Sequence, residues 1–534
     1  MKSRRLPLIA LAALAIGAAA PPAPPLDSHA ADRIRAHVEF LASDLLEGRA
    51  TGSTGHAIAA SYVAAQFTAL GLKPGGTDGS WYQQVPFRRA MHVGPPTIVL
   101  TLNGRRTVLR PGLDAGLRPS VFEKVRKITS PMVFVGYGIA DARMGIDDYR
   151  GLNVAGKTVV ALDGTPPGLP NEVAAHLTYT KEDQAAAAGA AGFILIGRQG
   201  PLDDINRTAL DWVDSSGNAG TSPRGLRIRM RVTDPIAEKL FARSPMSFDQ
   251  ARNRAASGAR NIGFPLAGTI SLDTESRWQD FTSPEVIGIV PGADPRLSGE
   301  NVVLMAHLDH LGKDETAKPG ADAIYNGALD NAAGVATLIE SAREFVQSGR
   351  SPRRSVVFIA NTGEEEGLLG AAYFAAHPTV RGRIDAVVDL DMPLLLYDFS
   401  DVVAFGADHS TLARAVGRAG ASMGVRVSPD PMPSETLFVR SDHYPFARHG
   451  VPGVFLMTGW GNGGREVWLR FLADTYHSVK DDLSQPIRWQ QGARFAELNY
   501  RIARTLADTD ERPLWYQGDY FGDSFAPAEP KARR

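Results

Sequence analysis

The period of the apolar positions changes from one region of the chain to the next. Over residues 32–72, Ile34, Val38 and Leu41, and later Ala60, Val63, Ala64 and Phe67, recur at spacings of three and four, which predicts helices that each bury one face. A glycine-rich loop, Glu47-Gly48-Arg49-Ala50-Thr51-Gly52-Ser53-Thr54-Gly55, parts them. From about 98 to 266, short apolar runs bounded by Gly, Pro and Asp predict strands, among them 97–102, 131–137 and 157–162. A helix over 180–188 then leads to a strand at 193–196, and the region reads as a separate strand-rich lobe. From 286 onward strand and helix alternate, with strands at 286–290, 301–306, 355–360, 386–390, 402–405 and 453–457. Between the second and third, Val335, Leu338, Ile339, Ala342, Phe345 and Val346 share one face of a helix. Near-continuous Val/Ile/Leu strands joined by helices predict an α/β fold with a largely parallel sheet covered on both faces. Ligands of such sheets bind beyond the carboxyl ends of the strands.

The ends of the chain read differently. Lys2, Arg4 and Arg5 precede an apolar run over 6–20 that closes in Ala18-Ala19-Ala20, the pattern of a secretory signal peptide, and a proline-rich linker follows. That run is short of the roughly 20 residues a membrane span needs. The expected mature chain is therefore periplasmic or secreted, with no stable membrane insertion. Residues 512–534 are polar and proline-containing, and are expected to be loosely held.

Composition narrows the chemistry. The 57 Lys+Arg balance 58 Asp+Glu, which leaves no electrostatic case for a nucleic-acid partner. With no cysteine in 534 residues there are no disulfides and no thiolate ligands or nucleophiles. Any metal must be held by His, Asp and Glu.

Those residue types gather at predicted strand ends. His307 and Asp309 close the 301–306 strand, and Asp309 is placed to hold the second ring nitrogen of His307. Asp330 stands where the Val335 helix begins, as a bridge between cations or as a helix cap. Glu364, Glu365 and Glu366 follow the 355–360 strand, Asp391 ends the 386–390 strand, and His477 lies far downstream in Thr475-Tyr476-His477-Ser478. Singly, each has a structural reading: a hydrogen-bonded histidine, a cap, a solvated acidic surface. Together they make successive strand ends carrying His, Glu and Asp, a donor set suited to a divalent metal.

The segments Ala306-His307-Leu308-Asp309-His310-Leu311-Gly312, Asn326-Gly327-Ala328-Leu329-Asp330-Asn331, Gly363-Glu364-Glu365-Glu366-Gly367, Asp389-Leu390-Asp391-Met392 and Tyr476-His477-Ser478 stand in the order of a known family. By them the chain resembles the M28 zinc metallopeptidases, which include aminopeptidases and glutamate carboxypeptidase. Residues 131–196 resemble the protease-associated domain that some members carry as an insert. The resemblance implies a three-layer α/β/α zinc-peptidase domain with a mainly parallel mixed sheet and a β-rich inserted lobe. The domain plan is a signal peptide over 1–20, a linker over 21–30, peptidase domain over 31–125 and 276–511, an insert over 126–275 and a tail over 512–534.

The family pattern implies two Zn²⁺. Asp330 would bridge them, His307 and Asp391 would complete one site, and Glu365 and His477 the other. Glu364 would be the general base, acting on a hydroxide held between the ions, and Asp309 would support His307. A cis peptide after Asp330 is part of the same pattern. His443 and Tyr444 are candidates for the substrate pocket, Arg440 for a substrate carboxylate, and His310 stays open between a structural and a functional role. The implied activity is an exported exopeptidase acting on peptides, first an aminopeptidase. A carboxypeptidase or dipeptidase of the same family, a non-catalytic receptor-like binding module and a glutaminyl cyclase are the alternatives.

Overall fold

A single strand, Phe264–Val290, runs 27 residues and belongs to two sheets. Its second half pairs antiparallel with Tyr82–His92 and with Ser355–Asn361; its first half pairs antiparallel with Thr97–Leu102 and Val125–Phe134. This is a computed structural model, which describes residues 29–197, 202 and 208–534. The signal-peptide reading of 1–20 and nearly all of the 21–30 linker lie outside the described residues.

The larger sheet has parallel strands at its centre. Glu300–His307 lies between Ser355–Asn361 and Arg383–Leu390, and the latter pairs with Gly453–Thr458, all parallel. Asp401–Phe405 joins antiparallel beyond Gly453–Thr458, so the sheet is mixed but mainly parallel in its core. The period of two explains why the central strands are apolar throughout. Val302, Leu304, Ala306, Val356 and Phe358 face one core; Val303, Met305, Val357 and Ile359 face another. Helices Ala30–Leu41, Thr54–Leu70, Ala333–Gln347 and Trp489–Asp508 contribute to the first core, while Phe374 and Phe446 from Leu369–Ala376 and His443–Arg448 cover the second. The result is a three-layer α/β/α body, as the alternation predicts.

The smaller sheet begins earlier than residue 126. Thr97–Leu102, Arg105–Leu109 and Ala115–Leu117 pair into it with Val125–Phe134, Thr158–Leu162, Gly192–Ile196 and Ile228–Val232. The helix expected over 180–188 is present as Lys181–Ala187, and a second one, Asn171–Tyr179, precedes it. The carboxyl-terminal segment corrects the expectation of a loose tail. Trp515 and Phe521 are buried, and Trp515 Nε1 donates to the Gly450 carbonyl at 2.8 Å. Five aromatic residues between 515 and 525 give this otherwise polar stretch enough apolar surface to dock.

Candidate metal and active site

Because the central strands run parallel, their carboxyl ends lie along one edge, and the chemistry follows from that. His307 is the last residue of its strand, in register with Asn361; Glu364 and Glu365 follow Asn361, and Asp391 follows Leu390. Asp330 enters from the turn before the Ala333–Gln347 helix. That turn is held by Asp481, whose carboxylate accepts the N–H groups of Leu329 and Asp330, each at 2.9 Å. The Asp330-Asn331 peptide is cis. Asn331 ties the turn to the neighbouring strand end: its amide donates to the Leu390 carbonyl (3.0 Å) and its oxygen accepts the Met392 N–H (3.2 Å). A Cβ at Gly334 would lie 2.0 Å from that oxygen, so only glycine fits there.

The five expected ligands converge. His307 Nε2 lies 3.1 Å from Asp391 Oδ1 and 3.2 Å from Asp330 Oδ1, while His477 Nε2 lies 3.3 Å from Asp330 Oδ2 and 3.2 Å from Glu365 Oε2. The two oxygens of Asp330 thus face two different histidines, which suits a bridging carboxylate and not a helix cap. Two donors at about 2.0–2.1 Å from a tetrahedral ion stand roughly 3.3 Å apart, so the spacings fit zinc. The charge balance points the same way. Burial alone would disfavour charge on His307, yet Asp391 and Asp330 raise it well above its ordinary value, and the carboxylates of Asp330 and Glu365 push His477 up to about 10 against burial. Cations are what this donor set calls for; divalent ions would take the place of those protons.

Glu364 stands apart from the ligand pairs. Burial first, then the nearby Glu365 and Asp391, hold its carboxyl well above the usual range despite His307. Its N–H donates to Asp309 Oδ1 at 3.3 Å, and Thr51 Oγ1 donates to Asp309 Oδ2 at 3.0 Å. This corrects the expected role of Asp309. Its carboxylate does not hold His307; the backbone carbonyl of Asp309, 3.0 Å from His307 Nδ1, does. The strand ends at His307, so the alternation that would put both side chains on one face no longer applies.

Glu364, Glu365, Tyr444, Tyr476 and His477 line a cavity of about 900 Å³ between the two sheets' bodies. Tyr476 stacks on His477 with ring centroids 3.8 Å apart. His443 does not reach the cavity: it is fully buried, with its N–H 3.2 Å from Asp389 Oδ2. Tyr444 lines the cavity, but its hydroxyl lies 2.5 Å from His176 Nδ1 of the strand-rich lobe. Arg440 is paired with Glu435 at 3.1 Å. His310 resolves to a contact with one of the expected ligands, its Nδ1 lying 2.6 Å from Glu365 Oε1.

Sequence reasoning missed Asp481, Ser441 and the role of Arg49. Ser441 Oγ lies 2.9 Å from Asp391 Oδ2. Arg49, buried in the glycine-rich loop, donates to the carbonyls of Leu308 (2.9 Å), Asn326 (2.6 Å), Gly327 (3.1 Å) and Leu41. An arginine inside a Gly-rich loop was the available signal; Asp481 and Ser441 carry none.

Residues 285–503 match Peptidase family M28. A vacuolar membrane protease of Lachancea thermotolerans is 34% identical over 121 residues, 23% of this chain and 11% of that protein. A probable leucine aminopeptidase 2 of Aspergillus oryzae is 28% identical over 220 residues, 38% of this chain and 39% of that protein. The chain thus spans well under half of these relatives. Among solved structures, an aminopeptidase from Aneurinibacillus sp. strain AM-1 aligns with TM-score 0.48 at 20% identity, covering 92% of this chain and 99% of that one. A zinc aminopeptidase from Bacillus subtilis aligns at 0.42 and 17%, covering 90% and 96%.

Proposed function

Starting from residues 285–503 as a member of peptidase family M28, we propose that the chain is a two-zinc peptidase that removes the amino-terminal residue of peptides. The observation that carries this is Asp330, whose two carboxylate oxygens lie 3.2 Å from His307 and 3.3 Å from His477 while Asp391 and Glu365 complete each side. His307, Asp330 and Asp391 would hold one ion; Asp330, Glu365 and His477 the other. When bound, the ions supply Lewis acidity and make water acidic enough to ionise near neutral pH.

The chain's own groups do the rest. Glu364 accepts the proton of the attacking water and delivers it to the departing amine nitrogen, so one water is consumed and an acid and an amine are released. The N–H···Asp309 contact fixes the backbone of Glu364, and Asp309 is itself anchored by Thr51. His310 and Ser441 hold Glu365 and Asp391 in the orientations that ligation needs. The cavity that Glu364 and His477 line is walled partly by the strand-rich lobe, which gives a substrate surfaces on both sides. The strand-rich lobe as a protease-associated insert, and export by a cleaved N-terminal leader, belong to the same proposal.

A panel of aminoacyl anilides, amino-blocked peptides and dipeptides with zinc-loaded protein tests it. Cleavage of free-amine substrates, abolished by a chelator and restored by zinc, is expected. Preference for amino-blocked substrates would replace the aminopeptidase reading with a carboxypeptidase one, and no hydrolysis with two zinc ions bound would overturn the enzyme.

A further inference from the structure

The lobe's share of the cavity lining is strongly charged, with Arg118, Lys181, Arg229 and Arg231 beside Asp163, Glu182 and Asp183. Arg229 is engaged by Glu182 at 2.5 Å and Ser222 at 2.7 Å, and Lys181 Nζ donates to the carbonyls of Leu162 (2.7 Å) and Gly164 (2.5 Å). Arg118 differs. Its backbone is pinned on both sides, its N–H donating to the Arg229 carbonyl and its own carbonyl accepting from Arg126, each at 2.9 Å. The pairing of Leu117 with Met230 sets this position in the sheet. Its guanidinium, in contrast, has no hydrogen bond or salt bridge among the described residues; burial and then the like charge of Arg229 push it below the ordinary arginine value, against the opposing pull of Glu182 and Asp211. Glu182 is already engaged by Arg229, so a desolvated, rigidly presented guanidinium that no carboxylate contacts leaves a charge only partly compensated, and its planar fork matches a carboxylate.

The same cavity is bounded by Glu364, Glu365 and His477. We propose that Arg118 is an anion subsite for a carboxylate of a short peptide whose reacting bond lies at Glu364. The proposal rests on the peptidase reading and adds a substrate class: short peptides with a free carboxyl end or an acidic side chain, in preference to peptides that carry neither. Neutral ends leave the guanidinium unpaired, so selectivity for the charged end follows.

The test uses leucyl-oligoglycines of two to four residues as free acids and as carboxyl-terminal amides, with a further set of amides carrying one glutamate in place of glycine. The wild type is expected to favour the acid over the amide about ten-fold or more in kcat/KM at one length. Arg118→Gln should bring that ratio close to one, and Arg118→Lys, with the charge but not the fork, should fall between. Selectivity that returns only in the glutamate amides assigns the subsite to a side-chain carboxylate. Calorimetric binding of the same peptides to chelator-treated protein reads carboxylate recognition without turnover, so failure of the peptidase reading is distinguishable. A wild type indifferent to the carboxylate in both arms overturns the proposal without any variant, as does a preference that Arg118→Gln leaves intact.

Discussion

Replacing Arg49 by methionine removes one side chain and strands four acceptors. The carbonyls of Leu41, Leu308, Asn326 and Gly327 all accept from this buried guanidinium, which burial lowers only to about 10, so it is charged at neutral pH. Methionine fills comparable space but donates nothing. A hydrogen bond to a charged group contributes about 1.5–3 kcal/mol, and four that share one side chain do not add independently. Breaking a buried charged cluster of this kind costs about 3–5 kcal/mol, a large part of a typical 5–15 kcal/mol, so the variant should fold but with little margin. A second effect is local to the metal site. Leu308 adjoins His307, and Gly327 lies in the turn that carries Asp330. Loosening both should weaken zinc binding about 10–100-fold, the range for groups that orient ligands. Urea unfolding followed by tryptophan fluorescence on chelated protein measures the first effect, and competition with a chromophoric chelator the second. Unfolding free energy within about 0.5 kcal/mol of wild type, with unaltered zinc affinity, would refute the view that Arg49 fastens the two ligand loops.

Three further outcomes are expected. Glu364→Gln should retain both zinc ions by elemental analysis yet lose at least about 10²-fold in turnover; near-normal activity would remove it as the general base. Asp330→Asn should drop metal content below one ion per chain, and intact two-ion stoichiometry would argue against a bridge. Against burial, Asp519 and Glu172 raise His409 from 6.5 to about 9, joining the tail and the Asn171–Tyr179 helix to the peptidase body. A raised folded pKa adds stability that is complete below pH 6.5 and lost as pH rises through about 9. His409→Gln should therefore destabilise by the order of 3 kcal/mol at pH 6 and by little at pH 10, and a pH-independent loss would mean that packing, not charge, accounts for it.

What the sequence alone determined is what its periods and its residue types at strand ends dictate. Apolar strands alternating with one-faced helices require a covered parallel sheet, and parallel strands put their carboxyl ends on one edge. His307, Glu365 and Asp391 were therefore legible as neighbours before any coordinates, and family resemblance added Asp330, Glu364 and His477. Only the tertiary structure decided which group touches which. It gave His307 the carbonyl of Asp309 and not its carboxylate, buried His443 behind Asp389, docked the tail through Trp515 and Phe521, and spent Arg49 on four carbonyls of distant segments. No local period encodes such contacts. They arise between segments tens to hundreds of residues apart, where the requirement that every buried donor and acceptor find a partner chooses among side chains the sequence leaves equivalent.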